Sequence, residues 1–394
     1  MTAAPINPAL AGTLAPPVME ARRWLAETPM PDGRPLLNLS QAAPTDPPPE
    51  PLIEAMADAV RRPETHVYGP VLGDSGLRAR IAADWSRAYG AAIGSERVAV
   101  TAGCNQAFCA AVATLAGPGD AVMLPVPWYF NHAMWLQMSG VDVVPIPCDE
   151  AMRPDLVAAE MRMSARVKAI VLVTPNNPMG AEYPDDLLES FYDLARAHGA
   201  GLVIDETYRD FHSGAGAPHG LFAREGWDET LVHLYSFSKV FRLTGHRVGA
   251  MIAGEARLAE AEKFLDTVTI CPPRIGQIAA LHGLEHLSGW VAEEREAVLS
   301  RRAALEAVMA SDLPDWRLKG AGAYFAYVEP PFDIPSDALA RRLLAEQGVL
   351  LLPGTMFVPA EGDWGGERHL RIAFANADGT GLAEMGARLA AFAP

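Results

Sequence analysis

Short apolar, often β-branched runs alternate with amphipathic stretches through the middle of the chain, which predicts strands separated by helices. The predicted strands are Arg97–Thr101, Ala121–Pro125, Val141–Ile146, Val167–Thr174, Gly201–Asp205, Leu231–Ser236 and Arg247–Ala253. The clearest predicted helices are Asn105–Leu115, Pro184–His198 and Glu255–Thr267. Strands that are apolar along their length and separated by helices are typical of an α/β domain with a mainly parallel sheet.

A smaller α+β pattern follows this region. A long helical region is expected at Gln277–Ala310. It is followed by strands at Ala323–Glu329, Val349–Leu352 and His369–Ala375, with a helix at Ser336–Gln347. A proline-rich connector, Ala43–Pro51, separates an N-terminal arm from the rest because X-Pro pairs disfavour helix. We therefore predict an arm and the first part of the small domain in residues 1–45, a large domain in 46–280 and a C-terminal small domain in 281–394.

Composition and charge narrow the range of partners. Half of the 394 residues are hydrophobic, so the chain can bury a large core. The net charge of −16 argues against nucleic acid and anionic membrane surfaces, since both would repel the chain. The cysteines, at positions 104, 109, 148 and 271, have neither C-x-x-C spacing nor a dense framework. With no visible targeting signal or membrane-spanning run, we expect a cytoplasmic protein without a metal site.

Polar and aromatic residues follow several predicted strands, where open parallel sheets bind their ligands. Gly103 lies in a turn that opens into a helix, so this segment is either an anion cradle or an ordinary strand-to-helix turn. The aromatic segment Leu124–Asn131 could offer a flat face to a planar ring, or belong to the core. In Val173–Gly180 an Asn side chain could donate into a cleft, although Asn-Pro is also a common turn.

A carboxylate and a lysine stand out among these segments. Asp205 ends the apolar run Leu-Val-Ile, where an unpaired carboxylate would be costly to bury, so it either faces a cation or reaches the surface. Lys239 lies among hydroxyl residues, with Arg247 eight residues later. A single lysine is usually a solvated surface residue. It becomes a candidate reactive amine if the chain also supplies a phosphate anchor and a carboxylate partner.

Six motifs in order carry a family resemblance. They are Tyr68…Gly73…Leu77-Arg78, Gly103–Ala107, Pro175–Gly180, Asp205–Tyr208, Ser236–Lys239 with Gly245–Arg247, and Arg371–Ala375. Over about residues 36–394 the chain resembles the class I/II aminotransferases, which are fold-type-I enzymes that depend on pyridoxal 5'-phosphate (PLP). The resemblance implies a homodimer with shared active sites. It also implies amino-group transfer between an L-amino acid and a 2-oxo acid by a ping-pong mechanism.

The resemblance also implies a role for each matched residue. Lys239 would form the Schiff base with PLP and move the proton at the substrate Cα. Asp205 would pair with the pyridine nitrogen, and Tyr208 and Asn177 would hydrogen-bond the ring 3-oxygen. Tyr129 would stack on the ring, and Arg371, with Asn177 and Ala42, would bind the substrate carboxylate. The phosphate would be bound by Gly103, Cys104, Asn105, Ser236, Arg247 and Tyr68 of a second subunit. Ala42 stands where relatives usually have glycine, so its methyl group is expected to narrow the entrance.

Two alternatives to an aminotransferase remain at this point. A PLP-dependent C–S/β-lyase of the same fold would use the same lysine and release pyruvate and ammonia from one substrate. A cofactor-sensing regulatory module would carry a fused helix-turn-helix and a basic face, and neither is present in the sequence.

The sequence also bears on the substrate side chain. Relatives that use dicarboxylates place an arginine or a lysine at the positions that match Asp266 and Asn105, so both cations are missing here. This favours neutral, aromatic or basic substrates over acidic ones, with Trp128, Phe130 and Phe241 as a possible apolar wall. Asp266 could instead be a solvated helix residue.

Overall fold

The computed structural model describes residues 4–41 and 43–393. Its strands, in chain order, are β1 (Leu37–Asn38), β2 (Val98–Thr101), β3 (Ala121–Val126), β4 (Asp142–Pro147), β5 (Val167–Val173), β6 (Gly201–Asp205), β7 (Leu231–Ser236), β8 (Gly249–Ile252), β9 (Arg317–Gly322), β10 (Phe325–Glu329), β11 (Val349–Leu350), β12 (Leu352–Pro353) and β13 (Leu370–Ile372).

The helices lie between these strands and at both ends of the described chain. They are α1 (Pro8–Ala11), α2 (Pro17–Glu27), α3 (Glu50–Val60), α4 (Ser75–Tyr89), α5 (Cys104–Ala113), α6 (Phe130–Met138), α7 (Leu156–Arg162), α8 (Asp185–Ala197), α9 (Trp227–Thr230), α10 (Phe237–Val240), α11 (Glu255–Thr269), α12 (Arg274–His286), α13 (Ser288–Ser311), α14 (Ser336–Gln347) and α15 (Gly379–Ala390).

Seven strands form one large sheet in the order β2-β8-β7-β6-β5-β3-β4. Only β8 runs antiparallel to its neighbours, β2 and β7, which confirms the predicted mainly parallel sheet. Asp205 at the end of β6 pairs with Val173 of β5 on one side and with Leu234 of β7 on the other. Because parallel strands end at the same edge, the segments that follow these three residues meet there.

A four-stranded antiparallel sheet, in the order β12-β13-β10-β9, forms a second layer. The N-terminal arm belongs to this part of the structure, since β1 pairs in parallel with β11. Strand β9 was not predicted. Its sequence, Arg-Leu-Lys-Gly-Ala-Gly, has two glycines and little apolar alternation, so the pattern of a strand is absent.

The helical region predicted over 277–310 consists of two helices, α12 and α13, separated at Leu287. Leu287 has φ −113° and ψ 23°, which lies outside helical geometry. Helix α12 packs against α3 and α4 beside the large sheet, whereas α13 packs against α15 and β9 beside the small sheet. The break therefore lies where the chain passes from one hydrophobic core to the other.

Close backbone contacts join the small sheet to the turn after β5. Gly180 has φ +72°, and a Cβ there would overlap the backbone of Gly322 and Phe325. Glycine is therefore required where the hairpin of β9 and β10 meets this turn. The contact brings Asn177, in the same turn, beside Arg371 of β13. Within residues 4–41 and 43–393, no helix is long and apolar enough to cross a membrane.

Candidate active site

A cavity of about 260 Å³ opens at the carboxyl ends of β5, β6 and β7. Nine of the residues predicted for the site line it, namely Cys104, Asn105, Tyr129, Asn177, Asp205, Tyr208, Ser236, Lys239 and Arg247. The structure therefore gathers residues that are up to 143 positions apart, since the first of them is residue 104 and the last is residue 247.

Lys239 lies on the single-turn helix α10, directly after β7. Its side chain is half-buried because it faces the cavity, and its Nζ lies 5.9 Å from the centroid of the Tyr208 ring. Desolvation by the surrounding protein, with the positive charges of Arg247 and Arg371, lowers the pKa of Lys239 to about 8. About a tenth of this amine is therefore neutral, and so nucleophilic, at pH 7, which is far more than for a lysine with an ordinary pKa.

Asp205 is buried, and both of its carboxylate oxygens have partners. Oδ1 accepts from the Thr207 N–H at 3.0 Å and hydroxyl at 2.7 Å, and from the Cys104 thiol at 3.5 Å. Oδ2 lies 3.4 Å from Nε2 of His132. Burial opposes ionisation, but His132 and Thr207 outweigh it and lower the pKa of Asp205. The site therefore holds a buried anion at the end of β6.

An anion-binding cradle lies between the start of α5 and Arg247. Gly103 has φ +88°, and a Cβ there would overlap the Arg247 guanidinium, so only glycine allows this close approach. The N–H groups of Cys104 and Asn105 open α5 and therefore have no partner within the helix. Arg247 donates to Ser238 Oγ and to the Thr244 carbonyl but has no ion pair among the described residues.

Arg371 is almost completely buried on β13. It donates from Nη1 to Asn177 Oδ1 at 2.9 Å and from Nη2 to the Ser40 carbonyl. Its Nε–H has no hydrogen-bond partner in the described chain, and no described carboxylate forms an ion pair with it. Burial lowers the pKa of Arg371 to about 10. A buried cation without an anion is costly, so this geometry favours binding of a carboxylate from outside the chain.

Arg371 faces a second cavity, of about 300 Å³, that adjoins the first. Tyr129, Asn177, Tyr208 and Lys239 line both cavities. The lysine, the phenol and the guanidinium are thus accessible to one bound molecule.

Other predicted residues lie elsewhere. Tyr68 is 77% exposed and lines neither cavity, and Ala42 lies outside the described residues. Asp266 is exposed on α11. Of the three residues proposed as an apolar wall, Phe130 lines the second cavity, whereas Trp128 and Phe241 line neither.

The sequence did not single out three further polar residues of the site. His132 and Thr207 contact Asp205, and Ser238 contacts Arg247. His132 could have been found from its spacing, since a residue three positions after Tyr129 shares its side of a helix. Thr207 could have been found as the residue two positions after an Asp that ends a strand, a common local hydrogen-bond pattern.

A second buried polar cluster lies on the opposite side of β6. Glu206 accepts from the Tyr89 hydroxyl, and its Oε2 lies 2.6 Å from Nε2 of His233. The ligand atoms of Glu206, His219 and His233 lie within 4.8 Å of one another, as a metal site would require. However, Nδ1 of His219 accepts from the Leu221 N–H, which leaves the ring proton on Nε2, the atom that faces Glu206. In this tautomer His219 has no lone pair available for a metal ion, so the arrangement does not fit a metal site.

The model of the family "Aminotransferase class I and II" matches residues 34–389. The chain therefore belongs to the class I and II aminotransferases, and it has the fold-type-I architecture. It is 31% identical over 391 residues to aromatic aminotransferase ISS1 of Arabidopsis thaliana, covering 96% of this chain and 93% of that protein.

Two further proteins agree with this assignment. Arginine–pyruvate transaminase AruH of Pseudomonas aeruginosa is 32% identical over 334 residues, covering 83% of this chain and 84% of that protein. The structure of N-succinyldiaminopimelate aminotransferase from Mycobacterium tuberculosis superposes with a TM-score of 0.88 at 25% identity, covering 98% of this chain and 99% of that one. The chain is an enzyme that transfers an amino group from an amino acid to a 2-oxo acid, and the β-lyase alternative is not favoured.

Proposed function

We propose that the enzyme carries PLP covalently attached to Lys239 and works by a ping-pong mechanism. One observation carries the proposal. Three groups line two adjoining cavities: the Lys239 amine with a pKa near 8, the anionic Asp205, and a buried Arg371 without an anionic partner among the described residues. These are the amine, the ring partner and the carboxylate clamp that PLP-dependent amino transfer needs.

The residues present fit a phosphorylated pyridine. The cradle of Gly103, Cys104 and Asn105 offers backbone N–H groups, and with Ser236 and Arg247 it would hold the phosphate. Its fit rests on the missing Cβ of Gly103 and on a guanidinium with no ion pair in the described chain.

The ring would be held from three directions. Asp205 is already anionic and would accept a hydrogen bond from the pyridine N–H. Tyr208 and Asn177 would bind the 3-oxygen, and Tyr129, whose pKa is raised to about 12 chiefly by burial, would stack on the ring as a neutral phenol.

When bound, PLP supplies an electron sink for the electron pair left as the substrate Cα loses its proton. Arg371 would bind the substrate α-carboxylate and so orient the Cα–H bond. The Lys239 amine, released when the substrate amine takes its place, would remove that proton and return it to the carbon on the other side of the substrate nitrogen, since a lysine with a lowered pKa is neutral enough to act as a base.

We also propose a homodimer in which Tyr68 reaches the phosphate of the neighbouring subunit. Val67, Tyr68, Val268 and Ile270 are exposed large hydrophobic residues, and the Gly69 N–H donates to Cys271 Sγ at 3.4 Å, so the two segments lie side by side. They form one apolar patch of the kind that subunit interfaces cover. Sedimentation at assay concentration tests this, and an active monomer would contradict it.

The remaining proposals concern location and domain division. We propose a cytoplasmic enzyme whose partners are its amino acid and 2-oxo acid substrates, with neither nucleic acid nor membrane. The four cysteines are unbonded, as in a reducing compartment. We also propose a division at residues 45/46 and 280/281. The separate hydrophobic cores on the two sheets support two domains, although helix α12, and Leu287 after it, continue on the large-sheet core.

The experiment that tests the proposed function is a half-reaction on the protein loaded with PLP. Each amino acid is added without a 2-oxo acid, and we expect a stoichiometric change in the cofactor's absorbance that a 2-oxo acid then reverses. Asp205→Ala should keep the cofactor and lose about three or more orders of magnitude in turnover. Near-normal turnover in that variant would refute the role of Asp205, and pyruvate and ammonia from a single substrate would favour the lyase.

A further inference from the structure

The second cavity contains the space next to Arg371 in which a substrate side chain would lie. Besides Arg371 and the residues it shares with the first cavity, it is lined by Pro16, Val18, Phe130, Phe325 and Asn131. The first two come from the N-terminal arm, and Phe130 and Phe325 are buried in the core around the small sheet. Four of these five side chains are apolar, whereas the residues shared with the first cavity include the polar Gln41 and Asn177.

Charged groups are scarce in the same wall. Among the described lining residues only Lys239 and Arg371 carry charge, and both have roles at the reacting end of the substrate. Asn131 donates from Nδ2 to the Tyr129 hydroxyl at 2.8 Å, which leaves its carbonyl oxygen as a neutral acceptor. Arg22 hydrogen-bonds Gln41 at 3.4 Å, but it is exposed and does not line the cavity.

A charged side chain of either sign would lose water in this space without gaining a partner among the described residues of this chain. From these residues a carboxylate would lack a dedicated cation, and an ammonium or guanidinium would lack a carboxylate. Apolar side chains would instead gain from contact with the two phenylalanines, the valine and the proline.

We infer that the amino donor has an uncharged, largely apolar side chain, such as that of leucine, methionine or phenylalanine. This inference rests on the proposed function. It is narrower than the range expected from sequence, because basic amino acids are now disfavoured together with acidic ones. Val18 and Asn131 are positions at which an added charge tests this preference, since each lines the cavity without being part of the amine, ring or carboxylate machinery.

Turnover with a panel of donors is the first test. We expect kcat/KM for the best of leucine, methionine and phenylalanine to exceed the values for aspartate and for arginine by at least about tenfold. Aspartate or arginine ranking first would overturn the inference and leave the proposed aminotransferase function intact.

Two variants place a charged side chain in the wall of the second cavity. Val18→Arg should raise the ratio of kcat/KM for aspartate to kcat/KM for methionine by about tenfold. Asn131→Asp should raise the ratio of kcat/KM for arginine to kcat/KM for methionine by about tenfold. Val157→Arg, at a residue on α7 that is 65% exposed, adds the same charge as the first variant away from the cavity and should leave the ratio unchanged. Active variants with unchanged ratios would contradict the assignment of these residues.

Binding without turnover gives an independent test. We expect calorimetry to show tighter binding of 3-phenylpropionate than of succinate, since both have the carboxylate for Arg371 and only succinate carries a second charge. Equal or tighter binding of succinate would refute the apolar pocket. If no amino acid changes the cofactor's absorbance, the proposed function fails, and the binding comparison still decides this inference.

Discussion

Nε2 of His132 lies 3.4 Å from Oδ2 of Asp205, and both side chains are almost completely buried. The His132 ring also stacks on Phe108, with the ring centroids 3.8 Å apart, so its orientation is held by packing as well as by the carboxylate. Burial alone would favour a neutral Asp205. The contact with His132, together with the bonds from Thr207, keeps it anionic. His132 is therefore a positioning residue for the proposed partner of the pyridine nitrogen.

Replacing His132 should make Asp205 harder to ionise while leaving the phosphate cradle intact. His132→Phe keeps the stack on Phe108 and removes the polar contact, so the pKa of Asp205 should rise. We expect kcat to fall about tenfold, which corresponds to the loss of one hydrogen bond to a charged group. Titrating the cofactor's absorbance against pH should show a shifted midpoint, because the ionisation of Asp205 has changed. His282→Phe on α12 is the control, and equal kcat in the two variants would contradict this role.

The lowered pKa of Lys239 predicts how fast the apoprotein takes up PLP. Only the neutral amine attacks an aldehyde, so the rate should be low below pH 8, rise through about 8 and level off above it. Arg371→Leu removes one of the nearby positive charges, so its midpoint should move to higher pH. Stopped-flow absorbance measures the rate. A wild-type midpoint near 10, the value of an ordinary lysine, would show that the site does not perturb this amine.

The buried Glu206 predicts a pH-dependent contribution to stability. Burial opposes its ionisation, but His219, His233 and Tyr89 outweigh it and lower the pKa of Glu206 from 4.5 to about 2. A carboxyl group with a lowered pKa stabilises the fold above its unfolded value and loses that contribution as pH falls towards the folded value. A shift of this size corresponds to about 3 kcal/mol.

The matching variant is Glu206→Gln, which keeps the shape and removes the charge. Its thermal midpoint should lie well below that of the wild type at pH 7, and the gap should narrow as pH falls from 4.5 towards 2. Asp58→Asn removes an exposed carboxylate in a surface ion pair with Arg61 and should change stability little. A gap that stays constant with pH would mean that the charge of Glu206 does not stabilise the fold.

Much of the large sheet could be predicted because its strands are apolar along their length. All seven predicted segments contain a strand, and their order in the chain brings Asp205 and Lys239 to the same edge. Local pattern failed where tertiary contacts decide the structure. Strand β9 depends on glycines that meet the Gly180 turn, and Leu287 interrupts a helical pattern only because two cores lie on either side of it.

In the candidate site, too, some residues could be predicted from local sequence, whereas others depend on tertiary contacts. Residues that belong to contiguous motifs, such as Asp205 and Lys239, could be found from the sequence together with the family resemblance. The wall around the substrate side chain could not, since it joins Val18 of the arm to Phe130 and Phe325, which are distant in sequence. Phe325 was absent from the expected apolar wall for this reason. Such contacts follow from the packing of the two sheets and are not encoded by spacing.

The attachment of PLP to Lys239 can be measured directly, because the chain has few lysines that compete for the aldehyde. The others are Lys168, Lys263 and Lys319. The protein is incubated with PLP, reduced with borohydride to fix the attached cofactor, digested and analysed by mass spectrometry. We expect a single modified peptide, with the added mass on Lys239, and no specific modification in Lys239→Ala. A protein that remains unmodified after reduction, or that carries the mass on another lysine, would contradict this attachment.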